Sequence, residues 1–272
     1  MVKESKKAQR FYDDLIYGDK ATLSKSEAML KAFPFPTIEQ LPSLQVLEVG
    51  LGRGEWALGV ATYAHRYTGL DYSEKTIEYV RQELASHTLH EKVSLEHGTV
   101  LALSFEGNTY DAAYCIGVLH ATPDAMQGFR ELLRVLKPGG TLNIMLYGQV
   151  QPRNIIRDTL FYISRLGRWA EELILKLVLK IEMWHLPDAC LFNADGNIVL
   201  YKDWYFAPIQ SHHTIRQISK WAQQEGAEVT YVFLDQYRNT LKRHQRWASG
   251  RILGRFFCPD FMASIRKQSA TA

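Results

Sequence analysis

The feature that most constrains this chain is an alternation of short apolar runs with amphipathic stretches between Gln45 and Tyr147. Such an alternation is typical of β-α units that feed a parallel sheet. It predicts strands at Leu44–Val49, Tyr67–Leu70, Val93–Glu96, Ala112–Ile116 and Thr141–Tyr147. Helices are predicted at Gly54–His65, Thr122–Leu136 and Thr214–Glu225. A further helix is predicted to begin after Ser73, which is its candidate N-cap. Two later strands, Glu228–Leu234 and Phe261–Arg266, complete a doubly wound, mostly parallel, seven-stranded α/β sheet.

The alternation lapses after Gly148, at the end of the fifth predicted strand. From Leu160 to Trp184 the apolar residues instead recur at helical spacing. We therefore expect residues 148–209 to form a helical cap inserted into a single domain that spans residues 1–272. The same stripe also fits a homodimer interface or a membrane-surface helix, although the acids Glu171, Glu172 and Glu182 weaken the membrane interpretation.

Composition narrows the class of protein. At 272 residues and 46% hydrophobic, the chain can bury one large core. It shows no signal peptide and no apolar run of about 18 residues, so a soluble cytoplasmic protein is expected. Its three cysteines form no CxxC pair, so no metal site is expected. The stretch from Gln236 to Ala272 carries eight Lys/Arg against one acid, Asp260, which leaves nucleic-acid binding open.

A glycine loop follows the first predicted strand, in the sequence VLEVGLGRG from Val46 to Gly54. Glycines there allow backbone conformations denied to other residues and a close approach of the main chain to a ligand. A dinucleotide fingerprint, GxGxxG, would place its third glycine at position 55, which is Glu55. An acid there disfavours a pyrophosphate at the helix start, and Glu48 before the loop favours a ligand with a positively charged end.

Asp71 ends the second predicted strand, 17 residues after Gly54. A carboxylate at this place can accept hydrogen bonds from both hydroxyls of a ribose. The competing interpretation is a helix N-cap. Because Ser73 is the better cap candidate, we expect Asp71 to be free for a ligand.

Four segments together resemble the successive motifs of the class I (Rossmann-like) S-adenosylmethionine-dependent methyltransferase family. They are Val46–Gly54, Tyr67–Ser73, Tyr110–Asp124 (YDAAYCIGVLHATPD) and Leu132–Gly140 (LLRVLKPGG), and their order and spacing also match. The resemblance extends from about Phe11 to Tyr147, returns weakly at Thr214–Leu234 and Phe261–Lys267, and is absent from the predicted cap. It implies a Rossmann-like fold and S-adenosyl-L-methionine as cofactor.

The resemblance also implies roles for individual residues. Glu48 would hold the amino-acid end of the cofactor, directly or through water, above a main chain opened by Gly50 and Gly52. Asp71 would bind the ribose. The other implied cofactor contacts are Tyr72 near the adenine, Thr99 and Val100 after the third strand, and Ile116 and Gly117 beside the methionine moiety. Similar enzymes often carry Gly-Asp-Ala where this chain has Gly98-Thr99-Val100, so an uncharged hydroxyl replaces the usual acid.

Methyl transfer needs positioning more than a fixed triad, although a hydroxyl acceptor would require a base. Histidine suits that role near neutral pH, which makes His120 and His213 the catalytic candidates. His120 also fits a pocket-lining role, and His213 fits ordinary helix capping. Trp204, Tyr205 and His212 lie in the loop before the Thr214 helix and are the candidate substrate contacts.

The aromatic cap favours a small organic acceptor, apolar or aromatic. Two other functions stay open within the family: an RNA methyltransferase that uses the basic C-terminal tail, and a methyltransferase-like protein with a non-methylating role. A nucleotide-binding oxidoreductase is the alternative outside it, and the glycine spacing disfavours that class. We therefore expect methyl transfer to a small molecule.

Overall fold

The computed structural model describes residues 9–13, 22–31, 35–85, 87, 89, 92–149, 151–167, 169–170, 173–174, 206–234 and 261–269. The predicted substrate contacts Trp204 and Tyr205 lie outside these residues, as do most of the predicted cap and most of the basic tail. Among the residues described, no helix is long and apolar enough to cross a membrane.

A seven-stranded sheet forms the centre of the molecule, in the order β3-β2-β1-β4-β5-β7-β6. Its strands are β1 (Gln45–Val49), β2 (Arg66–Asp71), β3 (Val93–His97), β4 (Tyr110–Ile116), β5 (Leu136–Leu146), β6 (Ala227–Leu234) and β7 (Phe261–Lys267). The first five pair in parallel, and β7 runs antiparallel to both β5 and β6. The prediction of a doubly wound, mostly parallel, seven-stranded sheet is confirmed.

Six helices flank the sheet in the described parts of the chain: α1 (Leu23–Leu30), α2 (Glu55–Tyr63), α3 (Glu74–Ala85), α4 (Ala125–Val135), α5 (Gln151–Ser164) and α6 (Ile215–Gln224). The predicted cap of α3 is confirmed, because the Ser73 hydroxyl accepts a hydrogen bond from the Thr76 amide at 3.2 Å. At α6, Thr214 caps the Gln217 amide in the same way.

Two predicted boundaries were wrong. Helix α4 begins at Ala125 rather than at Thr122, because Asp124 is the N-cap and Leu119–Ala121 form a 3₁₀ turn before it. Strand β5 begins at Leu136 rather than at Thr141, since Leu136 already pairs with Tyr110 and a register irregularity lets the strand continue through the Lys-Pro-Gly-Gly segment. Both corrections arise from pairing and capping partners that the apolar pattern does not reveal.

The core lies in two layers, one on each face of the sheet. Alternate strand residues point to opposite faces, so that Leu47 packs with α4 and α6 while Val46 packs with α2 and α3. Burial on both faces explains the nearly continuous apolar runs of the parallel strands.

Helix α5 starts where the predicted cap begins. Beyond its midpoint Tyr162 is 68% exposed and Leu166 is 68% exposed, and Trp169 after the helix is 64% exposed. These side chains are therefore exposed in the part of the predicted cap that the structure describes. The cap as a whole, residues 148–209, stays a prediction.

Candidate active site

A pocket opens at the carboxyl ends of β1, β2 and β4, where the strand order reverses between β1 and β4. Ligands bind at such switch points in open α/β sheets. Its empty volume, including space open to solvent, is about 970 Å³. One wall, here called the glycine-loop wall, contains Gly50, Gly52 and residues 71–73 and 98–100. The other, the β4 wall, contains residues 116–118, 121–123 and 209.

Eight of the nine predicted cofactor residues line this pocket: Gly50, Gly52, Asp71, Tyr72, Thr99, Val100, Ile116 and Gly117. They come from four separate turns, after β1, β2, β3 and β4. The parallel sheet brings these turns to one edge. Glu48 is the ninth predicted residue, and it is not part of the pocket wall.

The glycines of the loop have two different reasons to be glycine. Gly50, Gly52 and Gly54 all have positive φ, at 85°, 51° and 77°. A Cβ on Gly50 would lie 2.1 Å from Val118 Cγ2, so Gly50 is required for packing. A Cβ on Gly52 would meet nothing within 4 Å, and the same holds for Gly117, whose φ is 78°. Both of these glycines therefore leave open space in the pocket wall.

Asp71 is not free, contrary to the expectation from the sequence. One carboxylate oxygen accepts a hydrogen bond from the Leu51 amide at 2.7 Å, and the other accepts one from the Ser73 amide at 2.8 Å. Burial raises the pKa of Asp71, and hydrogen bonds from the amides of Ser73, Leu51, Gly52 and Tyr72 oppose this rise. The carboxylate thus holds the glycine loop against the β2–α3 turn while it also lines the pocket.

Glu48 is buried, with 1% of its surface exposed. Its carboxylate accepts a hydrogen bond from the Tyr67 hydroxyl at 2.8 Å. Burial raises the pKa of Glu48 to about 8, an effect that the Tyr67 bond opposes and the nearby Asp71 charge increases. At neutral pH the group is therefore largely protonated in this structure, whereas the predicted contact with a cationic amine calls for a carboxylate.

The turn after β3 supplies the far end of the glycine-loop wall. Thr99 and Val100 line the pocket there, and Thr99 Oγ1 accepts a hydrogen bond from the Leu101 amide at 3.3 Å. The Tyr72 ring lies at the pocket edge, stacked against His97 with 6.3 Å between ring centroids. These residues offer apolar surface and main-chain groups to a flat ring.

Tyr12 also lines the pocket, and the sequence analysis missed it. The helical residues 9–13 are tied to the β2–α3 turn by the Ser73 hydroxyl, which donates to Asp13 Oδ1 at 2.6 Å, and by Gln9, which donates to the Tyr72 carbonyl at 3.4 Å. Each tie joins residues at least 60 positions apart. No local sequence pattern signals such a contact.

The predicted catalytic histidines lie behind the β4 wall. His120, in the 3₁₀ turn after β4, is 1% exposed and its ring stacks on Tyr147 at 3.7 Å between centroids. His213 is 4% exposed, and its two ring nitrogens lie 2.8 Å from Ser211 Oγ and 3.3 Å from Gln217 Oε1. The predicted substrate contact His212 is half-buried beside it and is not part of the pocket wall.

The pKa values of His120 and His213 are both lowered, which favours the neutral form of each ring. Burial lowers the pKa of His120 well below its ordinary value, and the charges of His213 and His212 lower it further. Burial also lowers the pKa of His213, although its contact with Gln217 opposes this change. Each ring can therefore accept or donate a hydrogen bond at neutral pH without first losing a proton.

Residues 206–213 approach the pocket as a loop fixed by the main chain. The Ser211 amide donates to the His120 carbonyl at 2.7 Å, and the His213 amide donates to the Tyr147 carbonyl at 2.9 Å. These bonds bring Ile209 into the β4 wall beside Ala121. The loop thus completes that wall as a mainly apolar surface.

Comparison with known proteins adds independent information. A family model described as a methyltransferase domain matches residues 46–140, which include the glycine loop, Asp71 and His120. The chain is 38% identical over 100 residues to a demethylmenaquinone methyltransferase from Listeria monocytogenes. This alignment covers 36% of the chain and 42% of the relative, so the chain spans less than half the length of that relative.

Solved structures share the fold at low sequence identity. PKMT2 from Rickettsia typhi, in complex with AdoHcy, has a TM-score of 0.61 at 16% identity, over 94% of this chain and 55% of that one. Magnesium protoporphyrin IX methyltransferase from Synechocystis, with bound SAH, has a TM-score of 0.54 at 14% identity, over 93% of this chain and 91% of that one. Residues 46–140 of this chain thus match a methyltransferase-domain family model, and the solved structures share its fold.

Proposed function

We propose that the protein transfers a methyl group from S-adenosyl-L-methionine to a small organic acceptor. The observation that carries this proposal is the open space at Gly52 and Gly117, on either side of a pocket at the β1/β4 switch point. These two positions have no neighbour that a Cβ would meet and both lie in the pocket wall, so a side chain at either would occupy space that a ligand could fill. The family match over residues 46–140 supports the same conclusion.

The residues present fit this cofactor. Asp71 would bind the ribose hydroxyls, Thr99 and Val100 would border the adenine, and Tyr72 would pack near it. The main chain at Gly50, Gly52 and Gly117, with Ile116, would border the methionine moiety. Tyr12 would cover the cofactor from the N-terminal side. When bound, the cofactor would supply a sulfonium methyl group, which would pass in line to the acceptor as its bond to sulfur breaks and S-adenosylhomocysteine leaves.

Glu48 would act on the amino-acid end from beneath the loop. A cationic amine close to a carboxyl lowers its pKa, so cofactor binding would favour the ionised form of Glu48. The Tyr67 hydroxyl would continue to orient that carboxylate. This role needs no direct place in the pocket wall, because a water molecule can carry the contact.

The acceptor side is mainly apolar. Val118, Ala121, Pro123 and Ile209 line it, which supports an apolar or aromatic acceptor. The demethylmenaquinone methyltransferase relative is named for a quinone acceptor. We therefore propose an aromatic ring of about naphthalene size as the acceptor.

The two histidines would then have unequal roles. His213 has both ring nitrogens close to side chains of its own loop and helix, so we propose that it positions Ser211 and the loop. His120 stands next to the wall residue Ala121 and is the better candidate for contact with the acceptor. Trp204, Tyr205 and His212 stay proposed substrate contacts from the segment that leads into this loop.

Two measurements on the purified chain test this function. Calorimetry should detect S-adenosylmethionine and S-adenosylhomocysteine binding, with NAD⁺ bound at least about a hundredfold more weakly, because an acid follows the glycine loop. Incubation with methyl-labelled S-adenosylmethionine and hydroxylated naphthalenes, such as 2-naphthol and 1,4-dihydroxynaphthalene, should move the label into the organic extract. Tight NAD⁺ binding without S-adenosylmethionine binding would overturn the cofactor, whereas cofactor binding without labelled product would overturn the proposed acceptor class.

A further inference from the structure

Two buried polar atoms near the β4 wall have no hydrogen-bond partner in the described structure. They are His120 Nδ1 and the side-chain amide nitrogen of Gln210. Buried polar groups are nearly always paired, since an unpaired one keeps the full cost of leaving water. Two unpaired groups in one region therefore call for a common explanation.

Both atoms belong to residues that adjoin the pocket wall. Ala121 follows His120 and lines the pocket, and Ile209 precedes Gln210 and lines it too. The two segments are joined directly, because the amide and the hydroxyl of Ser211 both donate to the His120 carbonyl, at 2.7 and 3.2 Å. The unpaired groups thus belong to two segments that meet at the His120 carbonyl, next to residues of the β4 wall.

The surroundings hold the His120 ring in a fixed orientation. It stacks on Tyr147, and the ring planes differ by 24°. The Tyr147 carbonyl is bound in turn by the His213 amide. An imidazole that is buried, stacked and unpaired at one nitrogen is preorganised for a single partner.

We propose that His120 Nδ1 and the Gln210 side-chain amide form a subsite that binds a hydroxyl group of the methyl acceptor. The inference rests on the proposed function and names the chemical group that this side of the pocket recognises. An amide NH₂ can only donate, and it needs an oxygen acceptor. A neutral imidazole nitrogen can accept the hydroxyl hydrogen. A phenolic or enolic hydroxyl offers both an oxygen for the amide and a hydrogen for the imidazole, which neither a hydrocarbon ring nor an ether does.

The neutral state of His120 agrees with this assignment. Its pKa is lowered by burial and by His213 and His212, the charged or titratable groups packed against it from the 206–213 loop. A positively charged ring would have no free nitrogen to accept a hydrogen bond. The low pKa keeps Nδ1 available for a hydroxyl at neutral pH.

Equilibrium binding to the protein saturated with S-adenosylhomocysteine tests the subsite without turnover. The probes are 2-naphthol and 2-methylnaphthalene, which match in size and differ in the hydroxyl. The wild-type protein should prefer 2-naphthol by at least about tenfold, because the hydrocarbon leaves both buried groups unpaired. Gln210→Leu and His120→Phe should each bring this preference towards unity and leave the affinity for S-adenosylhomocysteine unchanged.

Matched controls and a second readout keep the test decisive. Gln82→Leu on exposed α3 and His65→Phe after α2 make the same chemical changes away from the pocket, and both should keep the full preference. Gln210→Leu serves alone if His120→Phe fails to fold. Failure to bind S-adenosylhomocysteine would overturn the proposed function itself. Cofactor binding with an unchanged preference in Gln210→Leu, or with no binding of 2-naphthol by the wild type, would overturn the subsite alone.

Discussion

The two walls of the pocket differ in how their polar groups are satisfied. In the glycine-loop wall, Asp71 accepts hydrogen bonds from the amides of Leu51 and Ser73, and Glu48 beneath the loop accepts one from Tyr67. Behind the β4 wall, His120 Nδ1 and the Gln210 amide nitrogen have no partner. One side is thus completed by the chain itself, while the other retains unmet hydrogen bonds.

This difference separates what the fold supplies from what a ligand must supply. The glycine-loop wall is built from turns that directly follow β1, β2 and β3, so its geometry is set by the parallel sheet. The β4 wall needs a loop from residues 206–213, about 90 positions away from His120, to complete it. We therefore expect substitutions in the first wall to change folding and cofactor affinity, and substitutions in the second to change acceptor preference.

The largest expected effect concerns Glu48, because burial of its ionised form beneath the glycine-loop wall lowers the free energy of unfolding. The pKa of Glu48 is raised from 4.5 to about 8, so between these pH values the folded protein retains a proton that the unfolded chain releases. Stability should therefore be full below pH 4.5 and should fall as the pH rises to 8. At about 1.4 kcal/mol per pH unit, the loss amounts to roughly 5 kcal/mol.

Glu48→Gln keeps the group neutral and should remove this loss. The variant should match the wild type near pH 5 and exceed its free energy of unfolding at pH 8, as measured by urea denaturation across that range. Glu228→Gln, at an exposed position on β6, is the control and should follow the wild-type curve. Parallel pH curves for Glu48→Gln and the wild type would mean that the Glu48 carboxyl is not held neutral.

The glycines provide the second test, because three of them share positive φ and differ in what surrounds them. Gly50→Ala should lower stability by about 2–3 kcal/mol, since its Cβ meets Val118 Cγ2 in addition to the backbone strain. Gly52→Ala should lose only about 1 kcal/mol of stability from strain, and about tenfold in affinity for S-adenosylhomocysteine.

Gly226→Ala is the control for Gly52→Ala. Its φ is 65° and a Cβ there also meets nothing within 4 Å, but it lies in the turn before β6, outside the pocket wall. Denaturation and calorimetry should therefore show the same strain in both variants and a loss of affinity only in Gly52→Ala. Equal affinities in the two variants would remove the main support for a ligand at the glycine loop.

The sequence predicted the glycine-loop wall well because its determinants are local. A strand that ends in glycines and opens a helix is visible within ten residues, and parallel pairing then brings Gly52, Asp71 and Thr99 to one edge of the sheet. The partners of Asp71 were not predictable in the same way. Ser73 does cap α3 as expected, but the Leu51 amide reaches Asp71 only because β1 and β2 are neighbours.

The contacts of the β4 wall were harder to predict from the sequence. His120 was identified from the motif that follows β4, but nothing local indicated that Tyr147 would stack on it or that Ser211 would bind its carbonyl. Tyr12 was missed for the same reason, since its segment is tied to residues about 60 positions away. Contacts between distant loops depend on tertiary packing, which periodicity does not encode.

The sharpest test of the glycine-loop wall concerns whether Asp71 binds a ligand as well as the glycine loop. Asp71→Asn replaces one acceptor oxygen by an NH₂ group, which would face either the Leu51 or the Ser73 amide, so stability should fall by about 1–2 kcal/mol. Asp111→Asn is the matched control, because Asp111 also accepts a main-chain hydrogen bond, from the Gln45 amide at 2.9 Å, and lies outside the pocket wall.

The two variants should differ in their preference for a ligand that carries the ribose 2′-hydroxyl. Calorimetry would compare S-adenosylhomocysteine with its 2′-deoxy counterpart, and the wild type should prefer the former by roughly tenfold if a carboxylate oxygen accepts the 2′-hydroxyl. Asp111→Asn should lose stability and keep this preference, while Asp71→Asn should lose most of it. If both variants keep the preference, Asp71 only fastens the glycine loop, and its hydrogen bonds serve the fold of the glycine-loop wall rather than a ligand.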